Sequence, residues 1–173
     1  APVAIMTKPF RCPEQAQCTF CPGGPGSIYG DTPKSYPGGS PAHLRAMRND
    51  YDSYLQVFNR LEHYALLGQD FSKVELIIMG GTFMSYPKAY RDEFITHALK
   101  GMNDFSEMFF KEGVLQWETF LAFFELPGDV KDKEREKLIL NKLLKLKKKC
   151  NLKTEQKRNE KSKIKCIGLT IET

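Results

Sequence analysis

Three cysteines near the start of the chain are the residues whose type and spacing most clearly imply chemistry. Five residues separate Cys12 from Cys18, and two separate Cys18 from Cys21. Two thiolates in a C-x-x-C pair can grip one metal centre, and a third nearby completes a three-thiolate site. That set suits an iron–sulfur cluster, in which three protein ligands leave one iron open to a small molecule. It also suits zinc, if His43, Cys150, Cys166 or an acidic group supplies a fourth ligand, although none of these stands at a finger-like spacing. Pro22-Gly23-Gly24-Pro25 bars helix formation beside the triad and lets the backbone come close to a bulky group. Cys150 and Cys166 read as ordinary structural thiols.

The elements that must position the triad follow from periodicity and punctuation. Pro2-Val3-Ala4-Ile5-Met6 is a short apolar run suited to a buried strand, and residues 7–39, rich in Pro, Gly, Cys and Ser, read as loop. Ser40-Pro41 is a helix start. The helix is expected to run to about residue 67, with Leu44, Met47, Tyr51, Tyr54, Leu55, Phe58, Leu61 and Ala65 at helical spacing and Gly68 as its stop. Residues 73–79 read as a strand ended by Gly80-Gly81, and 87–102 as a second helix. The Phe-rich stretch 103–126 (Phe105, Phe109, Phe110, Phe120, Phe123, Phe124) suggests two short helices used for packing rather than for base stacking. Residues 129–150 suggest one long helix with a lysine-rich end, 151–163 a polar linker, and 164–172 a buried strand. Strand, loop, helix, strand, helix is the opening of a parallel α/β fold. The triad then lies at the C-terminal end of the first strand, where such folds place their ligands, and this favours the cluster reading over zinc. Three strands do not close a barrel, so the chain is expected to be part of a longer one.

The bulk properties narrow the class. The chain has 173 residues, 41% hydrophobic and 27% charged, which suits one domain. It contains no run approaching the roughly 18 apolar residues of a membrane span. Its first ten residues lack the basic and apolar regions of a signal peptide, so a reducing, cytoplasmic location is expected, where clustered cysteines bind metal or do chemistry. Residues 129–165 hold fifteen Lys and Arg against six Asp and Glu, a net +9 within a total of +5, so the other residues together carry −4. Such a block can meet phosphates or simply stay solvated.

Several segments resemble the catalytic subunit of the Elongator family. They are Met6-Thr7-Lys8-Pro9 leading into Arg11-Cys12-Pro13, Cys21-Pro22-Gly23-Gly24-Pro25, Lys34-Ser35-Tyr36, Leu44-Arg45-Ala46 with Asn49-Asp50-Tyr51-Asp52, Met79-Gly80-Gly81-Thr82-Phe83, and Cys166-Ile167-Gly168-Leu169-Thr170-Ile171-Glu172-Thr173. They cover most of residues 1–102 and 164–173. The short first cysteine gap is similar to that of archaeal members, and differs from the three-residue gap commonest among radical S-adenosylmethionine (SAM) enzymes.

The resemblance implies a radical SAM core, 1–173, forming part of a partial (β/α)6 TIM barrel. Residues 1–102 would carry the first strand, cluster loop and β/α units, 103–163 a helical, lysine-rich insertion, and 164–173 the third strand. It implies a 4Fe-4S cluster held by Cys12, Cys18 and Cys21, with SAM on the open iron and a 5′-deoxyadenosyl radical that takes hydrogen from acetyl-CoA. The product would be a carboxymethyl-type modification at C5 of the wobble uridine of tRNA. SAM contacts are implied for Gly80, Gly81, Thr82 and Glu172, and an acetyl-CoA contact for Lys73. No single protein side chain is singled out as a catalytic residue, because the cofactor carries the hard chemistry. An electron donor and an acetyltransferase-like domain are implied partners, and this chain alone is expected to hold a cluster without modifying tRNA. Lys8, Arg11, Arg45 and Arg48 are candidates for a tRNA path, against ordinary surface roles. His43, His63 and His97 lack paired ligand spacing and read as surface or packing residues. The alternatives are a radical SAM enzyme acting on another substrate and a non-catalytic zinc-binding, nucleic-acid-binding module.

Overall fold

The computed structural model of the chain describes residues 1–16 and 18–173; Gln17, inside the expected cysteine loop, lies outside the described residues. In chain order the elements are β1 (Pro2–Met6), α1 (Pro41–Arg48), α2 (Ser53–Leu66), β2 (Lys73–Met79), α3 (Lys88–Phe109), β3 (Phe110–Lys111), β4 (Val114–Leu115), α4 (Trp117–Phe124), α5 (Lys133–Leu146), α6 (Leu152–Lys161) and β5 (Lys165–Ile171). β1, β2 and β5 make one parallel sheet in that spatial order, and β3 and β4 form a separate small hairpin.

An order that advances in one direction, with the right-handed crossovers of parallel strands, lays both helical connections on the same face of the sheet. Burial agrees. Val3, Ile5, Val74, Leu76 and Ile78 are fully buried beneath the helices, whereas Glu75 on the opposite face of β2 is exposed and Ile77 and Met79 are only half-buried. The core continues into aromatic packing: Phe105, Phe109, Phe120 and Phe124 are buried against one another, which bears out a packing role for the Phe-rich stretch.

The free edge of β1 is closed by side chains. Tyr64 Oη donates to the Pro2 carbonyl at 2.6 Å, Arg45 Nη2 to the Ala4 carbonyl at 3.0 Å, and Gln56 bonds both the N–H and the C=O of Met6, at 2.8 and 2.9 Å. An unpaired edge ordinarily leaves such groups open. In the same helical layer, toward β5, α6 docks on α3 through a buried polar network. Asp104 accepts from Tyr54 Oη (2.9 Å), Lys100 Nζ (2.7 Å) and Arg158 Nη2 (2.9 Å), while Arg158 also bonds Glu155 and Glu107. Asn159 then joins three elements. Its Nδ2 donates to Asn103 Oδ1 (2.9 Å) and to the Ile164 carbonyl (3.0 Å), and its Oδ1 accepts from Cys166 N (2.7 Å), the second residue of β5.

Several elements differ from the sequence expectation. The helix expected over 40–67 is two, because Asp50 and Tyr51 turn left-handed (φ 51° and 54°). Asn49 closes α1, and Asp52 opens α2 by accepting from Leu55 N; the apolar spacing runs on through the break and hides it. The helix expected to end at 102 continues to Phe109. Gly101 is a point of close approach, where a Cβ would lie 3.2 Å from the Tyr54 carbonyl of α2, and not a stop. The region 103–126 holds the end of α3, the hairpin and one helix, α4. The helix expected over 129–150 is the shorter α5. The linker expected over 151–163 is helix α6, capped by Asn151; its buried residues, Glu155 and Asn159, are polar and leave no apolar period to read. β5 is an edge strand rather than a buried one, with Ile167 65% exposed and Leu169 45%. Among the described residues no helix is long and apolar enough to cross a membrane.

Two predictions follow from these contacts. Gln56→Ala leaves two buried backbone groups of Met6 without partners and should cost about 1–3 kcal/mol, read as a lower denaturant midpoint at unchanged slope. Burial pushes the Glu62 carboxyl up to about 7, with Arg135 opposing. Between the ordinary carboxyl range and that value the folded chain holds a proton the unfolded chain has released, so stability falls as pH rises through this window. Glu62→Gln should remove a loss of at most about 3 kcal/mol between pH 5 and pH 8, measured by urea unfolding at each pH.

Candidate functional site

In a parallel sheet every strand ends on the same side, and here the three ends carry the chemistry-bearing residues. β1 runs into Thr7, β2 into Gly80-Gly81-Thr82 and β5 into Glu172. Two backbone bonds hold these ends together, Thr7 N to the Met79 carbonyl at 3.0 Å and Glu172 N to the Ile78 carbonyl at 3.1 Å.

The Gly80-Gly81 turn fits because it has no side chains. Both residues have positive φ (125° and 88°). A Cβ on Gly80 would stand 2.2 Å from Thr7 Oγ1, and one on Gly81 would stand 2.7 Å from the Lys34 Cβ. These glycines therefore bring β2 against the end of β1 and against the cysteine loop. Gly80 is also bonded within the chain: its N–H donates to Glu172 Oε2 at 3.3 Å, and its carbonyl accepts from Tyr86 Oη. The Gly81 and Thr82 carbonyls accept from Phe83 N (2.8 Å) and Ser85 N (2.9 Å). The Gly80 and Gly81 carbonyls each keep a second lone pair for an outside donor, whereas the Thr82 carbonyl also accepts from Ser85 Oγ at 2.7 Å.

The loop meets the strand ends at two side-chain contacts. Cys12 Sγ lies 3.3 Å from Thr82 Oγ1, and Tyr36 Oη reaches both oxygens of Glu172 at 2.6 and 2.7 Å. Burial, and then the bond to Glu172, pushes the Tyr36 phenol well above its usual range. Within the loop, Cys21 Sγ donates to the Gly23 carbonyl at 3.0 Å, and Cys21 N bonds the Cys18 carbonyl at 3.2 Å. Cys18 is exposed, Cys12 and Cys21 are half-buried, and all three thiols are free. Among the described residues no group of three or more His, Cys, Asp or Glu converges on a position for a single metal ion. Beneath the loop Phe10 stacks on Tyr86 (centroids 4.3 Å), and the Lys8 ammonium lies over Phe10 and Tyr90 at 5.2 and 5.1 Å. The Thr7 hydroxyl is buried at the root of the loop without a hydrogen-bond partner, and burial raises the Tyr86 phenol beside it.

The structure thus gathers Cys12, Gly80, Gly81, Thr82 and Glu172 at one end of the sheet, with Cys18 and Cys21 on the loop above. It does not bring Lys73 there. Lys73 opens β2, exposed, about 20 Å away along a seven-residue strand, and its carbonyl accepts from the N-terminal ammonium at 2.6 Å. Of the basic residues considered for a nucleic-acid path, Arg45 is committed to the β1 edge, while Arg11 and Arg48 are exposed. His43 is buried and paired with Tyr51 Oη at 3.0 Å. His97 faces Glu93 on its own helix, and burial lowers both His63 and His97. Three site residues received no role from the sequence: Thr7, Tyr86 and Tyr36. Tyr36 shares its loop with Phe10, Phe20 and Tyr29, so residue type alone does not single it out.

No family model matches the chain. It is 34% identical over 177 aligned residues, covering all of this chain and 24% of the other, to the Elongator complex protein 3 of Drosophila melanogaster. It is 48% identical over 103 residues, 60% of this chain and 19% of the other, to the tRNA uridine(34) acetyltransferase of Methanocaldococcus jannaschii. It is 47% identical over 110 residues, 60% of this chain and 20% of the other, to the Elongator complex protein 3 of Saccharomyces cerevisiae. The solved structure of archaeal Elp3 from Methanocaldococcus infernus, with an N-terminal deletion, superposes with a TM-score of 0.53 at 23% identity over all of this chain and 22% of that one, a likeness of fold. The chain spans 19% to 24% of the length of these relatives. By sequence it is a homologue of the proteins named Elongator complex protein 3 and tRNA uridine(34) acetyltransferase.

Proposed function

We propose that the chain is the radical SAM core, part of a partial (β/α)6 barrel, of an enzyme that modifies C5 of the wobble uridine of tRNA. The observation that carries this reading is the meeting of a three-cysteine loop with the C-terminal ends of three consecutive parallel strands, the place where barrel enzymes assemble their sites. Sheet winding supports the barrel: the strands advance in one direction and leave one face without helices. Homology to proteins named for uridine 34 of tRNA supports the substrate.

The donor set fits a 4Fe-4S cluster. Cys12, Cys18 and Cys21 are free thiols on one loop beside the strand ends. A zinc centre needs its donors around one ion at about 2.3 Å, whereas cluster thiolates attach to different irons and need not converge on a point. The three cysteines would hold the cluster, which supplies the electron that cleaves SAM reductively. Glu172 would accept hydrogen bonds from a ribose, and the Thr82 hydroxyl and the spare lone pairs at Gly80 and Gly81 would meet an ammonium. The Phe10, Tyr86 and Tyr90 rings limit water below the loop. Lys73 would pair with an acetyl-CoA phosphate at a point outside this cluster of residues. Residues 103–163 would be an insertion whose exposed lysines meet tRNA phosphates. An electron donor, a cytoplasmic setting and an acetyltransferase-like domain belong to the same reading.

Protein prepared without oxygen should carry about four irons per chain with matching sulfide. A single zinc per chain would instead make this a zinc-binding module. The full-length enzyme should form 5′-deoxyadenosine from SAM in a manner stimulated by acetyl-CoA and tRNA together. Formation indifferent to both would leave a radical SAM enzyme with another substrate.

A further inference from the structure

Glu172 is a half-buried carboxylate held only by neutral donors. Among the described residues no Lys, Arg or His pairs with it; its partners are the Tyr36 hydroxyl, at 2.6 Å from Oε1 and 2.7 Å from Oε2, and the Gly80 amide, at 3.3 Å from Oε2. A carboxylate offers about four lone-pair sites. One phenol proton shared between both oxygens, together with one amide, fixes the plane of the group and leaves acceptor capacity on each oxygen. The phenol oxygen, its proton spent on Glu172, is itself a further acceptor. Two or three acceptors locked side by side suit a ligand that presents two adjacent hydroxyls, as the ribose of a nucleoside does.

Tyr36 stands on the same loop as the thiols, and the loop is folded so tightly that a Cβ on Gly23 would stand 1.9 Å from the Tyr36 carbonyl. The Tyr36 ring is thereby fixed by the segment that carries Cys21, and its hydroxyl by the end of β5. We infer that Tyr36 is a positioning residue: it orients the Glu172 carboxylate toward the vicinal hydroxyls of a nucleoside ribose, and so couples the seating of the cysteine loop to recognition of that sugar. This rests on the function proposed above and adds to it a residue that acts through Glu172.

The test uses two ligands and the anaerobically reconstituted protein. S-adenosylhomocysteine carries the ribose; methionine carries the amino acid part and no sugar. Tyr36→Phe removes one oxygen and keeps the ring, and Glu172→Gln keeps the side-chain shape without the charge. Each variant should bind S-adenosylhomocysteine about tenfold more weakly by calorimetry, a loss in keeping with one hydrogen bond to a charged group, with methionine affinity unchanged. The double variant should be no weaker than the weaker single one, because the two groups act as a unit. Iron content, read separately, should match wild type. Equal weakening of both ligands in Tyr36→Phe, or loss of iron, would reduce Tyr36 to a loop fastener and overturn the inference, as would unchanged binding of S-adenosylhomocysteine. If Tyr36→Phe fails to fold, additive losses with 2′,3′-dideoxy-S-adenosylhomocysteine in Glu172→Gln would overturn it equally, since a carboxylate aimed at the diol must lose its effect when the diol is removed. Wild-type protein that holds iron but binds neither ligand would instead remove the functional reading on which the inference rests.

Discussion

One side-chain amide, that of Asn159, determines where the third strand lies. It bonds α3, the turn before β5 and the amide of Cys166, the second residue of β5, at once. A buried amide with every group satisfied specifies one arrangement, whereas the same amide with one partner missing is costly. Strand register is a discrete quantity, and a slip by one residue would turn Glu172 to the other face of the sheet. The site at the strand ends is therefore contingent on a polar contact made far from it, at the opposite end of β5.

The site itself has two halves that neither the sheet nor the loop could supply alone. The sheet brings rigid strand ends and a side-chain-free turn; the loop brings thiols and a phenol. Glycine is the means of contact between them, because β2 can approach Thr7 and Lys34 only where no Cβ intervenes. Rigid elements holding an internally bonded loop are the usual construction of ligand sites in parallel α/β folds.

Much of this was legible in the residues and some was not, for physical reasons. All three sheet strands declared themselves, since each is an apolar run between turn-forming residues. The break between α1 and α2 was written in capping residues, Asn49 and Asp52, but the apolar rhythm crosses it undisturbed. Helix α6 was invisible because what it buries is Glu155 and Asn159, and hydrophobic periodicity registers only apolar burial. Gly101 serves as a gap for the neighbouring helix α2 rather than as a helix end, a use that periodicity does not register. The cysteine spacing indicated a metal group, and the strand-end location of Gly80 and Glu172 followed from strand assignment alone. The partnership of Tyr36 with Glu172 spans 136 positions, and no local pattern encodes a contact of that range.

The sealed border of β1 has a consequence for assembly. With Tyr64, Arg45 and Gln56 occupying the Pro2, Ala4 and Met6 carbonyls and the Met6 N–H, that side offers a passing strand few groups to pair with, while the far side of β5 still presents a ladder and exposed Ile167 and Leu169. The sheet is thus directional, like a zip with one stop fitted: addition, whether by more of the same polypeptide or by a stray neighbour, is channelled to a single flank.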